Sequence, residues 1–266
     1  MKRGLLVRAA AFAALSLLAV SCGARYGMPD PASKQGEATL DLWNVFMIAG
    51  IVVALIVYGL IAWSIIRYRR RRSDPEGARG ASFRENLPLE IVYTVIPIVI
   101  VVGLFFLSVG TENEVTAVAP DPDLVVNVEA FAWGWRFTYP EQGVEVVSEP
   151  VGNDDAVGEG PELVLPSGQT TRIVLTSNDT IHAFWVPGFL FKRDAIPGRT
   201  TEFDVTPTTE GTYHGACAEL CGWNHAYMTF HVTVVSPEEF AAWTASQSAS
   251  SAVLPATSPS PEEAAA

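Results

Sequence analysis

The sequence predicts a two-helix transmembrane hairpin at the amino-terminal end, followed by an all-β sandwich outside the membrane. Three observations lead there. Two stretches lack any charged side chain, 25 residues between Asp41 and Arg67 and 21 between Glu90 and Glu112. From residue 115 onward, short β-branched and aromatic runs alternate with Gly, Pro and acidic turns. Charge is also split along the chain: residues 1–110 carry 12 basic and 7 acidic side chains, and residues 111–266 carry 5 basic and 22 acidic. With 49% hydrophobic residues the chain is no disordered polymer, which needs low hydrophobicity together with high charge. A net charge of −12 argues against nucleic acid as a partner, since phosphate binding needs a basic face.

Residues 1–21 read as a signal peptide. Lys2, Arg3 and Arg8 precede an apolar run from Ala9 to Val20 that is too short to span a bilayer. Leu18-Ala19-Val20-Ser21-Cys22 resembles a bacterial lipobox, although Ala19 stands where Leu is usual. Cys22 is therefore the expected lipidation site and a contact with membrane lipid. A lone Cys would otherwise be a free thiol in an oxidising compartment. Residues 42–66 and 91–111 are the two spans, each long enough as a helix to cross about 30 Å of hydrocarbon. Trp43, Tyr58, Trp63 and Tyr93 stand near their ends, as interfacial aromatics do. The connecting loop, residues 67–90, carries Arg67, Arg69, Arg70, Arg71, Arg72, Arg79 and Arg84. An excess of arginine marks the cytoplasmic side, so both chain ends lie outside the bacterial plasma membrane.

The external domain is expected over residues 115–237. Leu124–Val128, Trp133–Tyr139, Val144–Val147, Glu162–Leu165, Thr171–Ser177, Thr201–Val205 and Phe230–Val235 read as short strands. So many short strands with no amphipathic helical stretch between them predict an antiparallel sandwich. Gly152–Gly160 reads as an acidic surface loop, and residues 246–266, rich in Ala, Ser, Pro and Glu, as a disordered tail.

The chemistry gathers in Cys217-Ala218-Glu219-Leu220-Cys221-Gly222-Trp223-Asn224-His225-Ala226-Tyr227-Met228, with His182 upstream. Two thiols, two imidazoles and a thioether make a soft donor set, which selects copper or zinc over hard cations. Three plainer readings compete: a Cys217–Cys221 disulfide, one face of a helix, and a structural zinc site. Gly211, Gly215 and Gly222 weigh against the helix. A disulfide leaves His182, His225 and Met228 without a role, and zinc rarely takes a thioether. Copper electron-transfer sites do take one. A single blue-copper centre needs one Cys, so the second is a surplus that a pair of bridged coppers would use.

The pattern C-x-E-x-C-G-x-x-H-x-x-M, with His182 before it, resembles the CuA domain of cytochrome c oxidase subunit II. The resemblance spans residues 40 to 240, and the lipobox and Phe191-Lys192-Arg193-Asp194 look most like its actinobacterial branch. It implies a cupredoxin-like Greek-key sandwich with a binuclear copper centre. Cys217 and Cys221 would bridge both coppers, His182 and His225 would each bind one, and Met228 and the Glu219 backbone carbonyl would complete the set. The Glu219 carboxylate would ligate a magnesium ion shared with subunit I. Trp133, in Ala132-Trp133-Gly134-Trp135, matches the family's electron-entry tryptophan, although Ala132 and Gly134 replace its usual Gln and Tyr. Glu90, in a Glu-x-x-x-Thr-x-x-Pro setting, matches a carboxylate at the mouth of a proton-uptake channel; a helix-start carboxylate is the plainer reading.

The implied role is electron entry into a proton-pumping oxidase that reduces oxygen to water, with subunits I and III as partners. Haem would lie in the partner subunit only. The donor would be cytochrome c or a membrane-bound c-type cytochrome, the latter in a supercomplex with the bc complex. A membrane-anchored copper-delivery protein is the competing reading.

Overall fold

The computed structural model describes residues 26–69, 85–148 and 160–253, with side chains in the last stretch as far as residue 247. The signal segment with Cys22, most of the arginine loop, most of the acidic loop and the tail beyond residue 253 lie outside them. The chain divides into two units, one holding most of the helical region and one holding residues 29–37 and everything after residue 115.

The first unit contains α1 (Lys34–Arg67) and α2 (Leu87–Val115). Both run past the expected spans of 42–66 and 91–111, because helical hydrogen bonding continues into the polar flanks that a charge-free window leaves out. At 1.5 Å per residue they measure about 50 and 44 Å, against about 30 Å of hydrocarbon. Their apolar side chains face outward: Leu55, Ile66 and Phe106 are each about two-thirds exposed or more. A helix apolar on every side and uncovered by protein suits lipid. Pro97 sits within α2 without ending it. The start of α2 is capped reciprocally, the Leu89 N–H donating to Asn86 Oδ1 (3.2 Å) and the Asn86 N–H to Glu90 Oε1 (3.1 Å).

In the second unit, the first turn of α1 is fastened to the β domain. Ser33 caps the helix by accepting the Gly36 N–H at 3.0 Å. Ala32 N–H donates to Gly188 O (2.7 Å), Lys34 N–H to Thr206 O (3.0 Å) and Thr208 N–H to Ala32 O (2.8 Å). Gly36 is required here, since a Cβ would stand 2.8 Å from the Phe189 carbonyl oxygen.

The β domain is a sandwich of two five-stranded sheets. Its strands are β1 (Leu124–Phe131), β2 (Gly134–Tyr139), β3 (Val144–Val147), β4 (Glu162–Pro166), β5 (Thr171–Ser177), β6 (His182–Val186), β7 (Phe191–Ala195), β8 (Thr201–Val205), β9 (Gly211–Cys217) and β10 (Thr229–Val235). One sheet has the order β3-β2-β1-β5-β8 and the other β4-β10-β9-β6-β7. The chain switches sheets repeatedly after β3, which places β1 beside β5 and β4 beside β10 as parallel pairs. The other neighbouring pairs are antiparallel as expected, and these two are the exceptions. Parallel neighbours need a long crossover, and each switch through the opposite sheet supplies one.

Between the sheets, Phe230 stacks on Phe184 with ring centroids 4.8 Å apart and meets Trp135 edge-on at 5.1 Å. Trp135, Phe137, Leu163, Leu165, Ile173 and Leu175 are fully buried around them. A third helix, α3 (Pro237–Val253), follows β10. Ser236 and Glu239 form its capping box: the Glu239 N–H donates to Ser236 Oγ and the Ser236 N–H to Glu239 Oε2. Phe240 and Trp243 pack their rings against Tyr139. Residues 246–253, expected in a disordered tail, therefore continue a helix whose start is capped and packed.

Replacing Phe230 with Ala removes the ring on which both sheets close. The substitution should cost about 3–5 kcal/mol, the range for emptying a buried aromatic site. Urea or thermal unfolding followed through tryptophan fluorescence would measure it.

Candidate metal centre

Because β6, β9 and β10 are neighbours in one sheet and β9 runs antiparallel to the other two, the start of β6, the end of β9 and the start of β10 meet at one end of the sandwich. His182 opens β6, Cys217 ends β9, and Met228 immediately precedes β10. Residues 218–227 loop between the last two. The Cys217 N–H donates to Met228 O at 2.9 Å and the Ala218 N–H to Ala183 O at 3.1 Å, which fixes both ends of the loop against the sheet. A 3-10 turn at His225–Tyr227 brings His225 back over the thiols.

The sulfur atoms of Cys217 and Cys221 lie 3.7 Å apart. A disulfide needs about 2.05 Å, so these are two thiols in contact. His182 Nδ1 stands 3.8 Å from Cys217 Sγ, and His225 Nδ1 stands 3.5 Å from Cys221 Sγ. Met228 Sδ is 3.8 Å from Cys221 Sγ, and the Glu219 carbonyl oxygen is 3.2 Å from Cys217 Sγ. The Glu219 side chain is exposed, so this residue turns its carbonyl inward and its carboxylate outward. The structure thus brings together every residue of the expected copper set. His182, Cys217, Cys221 and Met228 are buried, and His225 is half-buried at the rim. His182, Cys217 and Cys221 by themselves form a compact metal-ligating triad.

Trp133 reaches the same end from the other sheet, at the β1–β2 turn. Its ring lies against Gly222, whose φ of +116° favours glycine and where a Cβ would stand a tight 3.2 Å from the indole. Its Nε1–H donates to the Cys221 carbonyl at 3.1 Å. Trp135 is instead wholly buried in the core. Glu90 lies in the helical unit, closing the cap of α2.

One participant was not anticipated. Asp179, in the β5–β6 connection, accepts from the Ala132 N–H (2.6 Å) and the Thr180 N–H (2.6 Å) and pairs with His182 Nε2 (2.8 Å). It joins the buried imidazole to the residue before Trp133. The outer nitrogen of His182 is thereby the proton-bearing one, leaving Nδ1 to face the thiols.

The electrostatics follow from these contacts. Burial pushes the Cys217 thiol up, but hydrogen bonding to His182 and at the Ala183 backbone outweighs it and brings the group down to about 7. Burial and then the charge of Cys217 push Cys221 up to about 12. Burial opposes charge on His182, yet Cys217 and Asp179 together hold its pKa above the ordinary imidazole value. Burial also works against the Asp179 carboxylate, and hydrogen bonds from His182, Thr180 and Ala132 keep it below its usual range.

Two helices long and apolar enough to cross a membrane, and a sandwich with a buried cluster of thiols, imidazole and thioether, define the class of membrane-anchored proteins with a candidate metal centre. The comparisons give its family. The model of the cytochrome c oxidase subunit II periplasmic domain matches residues 124–235, and that of the subunit II transmembrane domain matches residues 21–110. A probable cytochrome c oxidase subunit 2 of Streptomyces coelicolor is 39% identical, over 81% of this chain and 77% of its own. A cytochrome c oxidase subunit 2 of Mycobacterium tuberculosis is 34% identical, over 82% and 73%. Among solved structures, the periplasmic domain of subunit II of the Bradyrhizobium japonicum oxidase is 33% identical, covering 50% of this chain and 99% of that one, with a TM-score of 0.44. The chain belongs to the cytochrome c oxidase subunit II family, and the two curated relatives named above, from Streptomyces and Mycobacterium, are from actinobacteria. It is accordingly a subunit of a haem-copper oxidase, an oxidoreductase complex, with a cupredoxin-like domain outside the cytoplasm.

Two outcomes follow from the site. In metal-free protein, alkylation of Cys217 should rise with pH through about 7 as its thiolate forms, while Cys221 stays protonated and unlabelled until far more alkaline conditions; peptide mapping of the labelled protein reads both. Asp179→Asn should weaken metal retention about 10–100-fold with the fold intact, the usual cost of losing a carboxylate behind a ligating imidazole. Competition with a chelator would measure that loss.

Proposed function

We propose that the domain takes electrons from a c-type cytochrome at a binuclear copper centre and passes them to the haem of subunit I, where oxygen is reduced to water. The observation that carries this reading is the pair of thiols in contact, each with its own imidazole: Cys217 with His182 and Cys221 with His225. A mononuclear zinc site could use two thiols and two imidazoles but would leave the buried thioether over, and a blue-copper site would leave one thiol over. His182, Cys217, Cys221, His225, Met228 and the Glu219 carbonyl would hold two coppers, which supply a one-electron couple shared over two metals and two sulfurs.

The chain's own residues do the rest. Strand ends hydrogen-bonded on both sides of the loop fix the thiols, so little has to move when charge changes. Buried Phe184, Phe230 and Met228 keep the inner side dry. Asp179 orients His182. Trp133, half-exposed and hydrogen-bonded to the Cys221 carbonyl, offers a short route from the surface to a thiolate ligand.

The exposed Glu219 carboxylate is the proposed magnesium ligand at the subunit I boundary, and Glu90 the proposed entrance of a proton path. Both termini are proposed to lie outside, with Cys22 lipidated and the arginine loop in the cytoplasm. The acidic half of the chain would steer a basic cytochrome, and subunit III and a bc complex are further proposed neighbours.

Metal-loaded protein should contain two coppers per chain and give an EPR hyperfine pattern of one electron shared between them. A single zinc per chain, or a mononuclear copper spectrum, would sink the proposal. Trp133→Ala should leave that spectrum in place while electron entry from reduced cytochrome c slows severely in stopped-flow measurements.

A further inference from the structure

A different pair of histidines stands on the outer face of the same sheet. His214 on β9 and His231 on β10 lie directly opposite one another in the antiparallel ladder. Hydrogen bonds give the type of pairing. Along this ladder the Cys217 N–H donates to Met228 O, and opposite pairs alternate between bonded and non-bonded, which makes the position three steps on a non-bonded one. In agreement, the His231 N–H turns the other way and donates to Pro161 O, beside β4, at 3.0 Å. Non-bonded opposite residues have the closest side chains in a sheet, with Cβ atoms about 4.5–5.5 Å apart. The two imidazole centroids are 6.1 Å apart with planes at 67°. Two rings so placed can each turn one nitrogen toward a common point, as a metal ion with about 2.0–2.1 Å Zn–N bonds requires.

The next strand adds an oxygen donor. Glu162 on β4 is in register with His231. Its carboxylate accepts a hydrogen bond from Thr233, the next residue on the His231 face, so it lies on that face but leans along the strand toward Thr233, and would have to swing back to join the imidazoles. His214 and Glu162 are exposed and His231 is half-buried, so an ion can reach all three.

We propose that His214 and His231, with Glu162 beside them, form a peripheral site for a borderline divalent cation, zinc or copper(II), separate from the thiol centre. Two imidazoles and a carboxylate with water suit tetrahedral zinc, and two imidazoles with oxygen suit copper(II). The site is distinct because alternate residues point to opposite faces: Gly215, Cys217, Met228 and Phe230 face the core, while His214 and His231 face out. Three residue steps along the strand separate each histidine from the nearest thiol or thioether residue in its own segment, about 10 Å. The inference does not rest on the electron-transfer reading.

The test uses the full-length protein with its thiol site already loaded with copper, the copper content being measured in the same sample. Zinc titrated by calorimetry should bind as one further ion per chain. His214→Ala and His231→Ala should each abolish that event, and Glu162→Gln should weaken it, with copper content unchanged. Copper(II) added in place of zinc should give a separate mononuclear EPR signal that both histidine variants lose. Zinc binding that is the same in the double variant, or absent from the parent protein, overturns the proposal. Should the thiol site take no copper, the loss of zinc in the histidine variants still reads independently.

Discussion

Everything at the metal end depends on one closure, the hydrogen bond from the Cys217 N–H to the Met228 carbonyl that joins the two ends of the ligand loop. It makes residues 218–227 a loop of fixed span rather than a flexible excursion. Once the ends are fixed, Gly222 can take its left-handed turn, the 3-10 turn can return His225, and Cys221 is carried to within 3.7 Å of Cys217. His182 meets them because β6 pairs with β9 through Phe184 and Cys217. His182, 35 residues before Cys217, thus joins the donors of residues 217–228 through three adjacent strands.

Opposite sheets contribute differently. The sheet with β9 and β10 supplies the proposed ligands. The other supplies Trp133 and Asp179, which contact the ligands from outside. Asp179 is a partly exposed carboxylate that nonetheless makes three hydrogen bonds, to backbone on both sides and to an imidazole. That places it among the groups whose removal disturbs a site they do not themselves fill.

Much of this was legible in the sequence, for identifiable reasons. Val144–Val147, Thr171–Ser177 and Thr201–Val205 are bounded as expected, because β-branched residues there run between clear turn signals. His182–Val186 was not anticipated as a strand: four of its five residues are buried, so it shows no alternation. Phe191–Ala195 hides behind Lys192, Arg193 and Asp194, and Gly211–Cys217 behind two glycines. The capped helix after Ser236 was masked by its Ala and Ser content. The cluster of sulfur and imidazole donors that the structure brings together was legible from spacing and donor chemistry. Asp179 was not, because its meaning lies in contacts with Ala132, which is 47 residues away. The fastening of Pro29–Glu37 to loops near residues 188 and 206 was hidden for the same reason.

The arrangement of the thiols has a consequence for how the protein matures. Two sulfurs in contact, one ionising near neutral pH, are as well placed for oxidation as for ligation. Outside the cytoplasm, where oxidants of a dithiol are at hand, disulfide formation would compete with insertion of the proposed metal. A chain that loses this race keeps its sandwich and its membrane helices but holds a bond where its ligands should be. The yield of working protein then becomes a question of relative rates, set by metal supply and by whatever reductant reaches the loop.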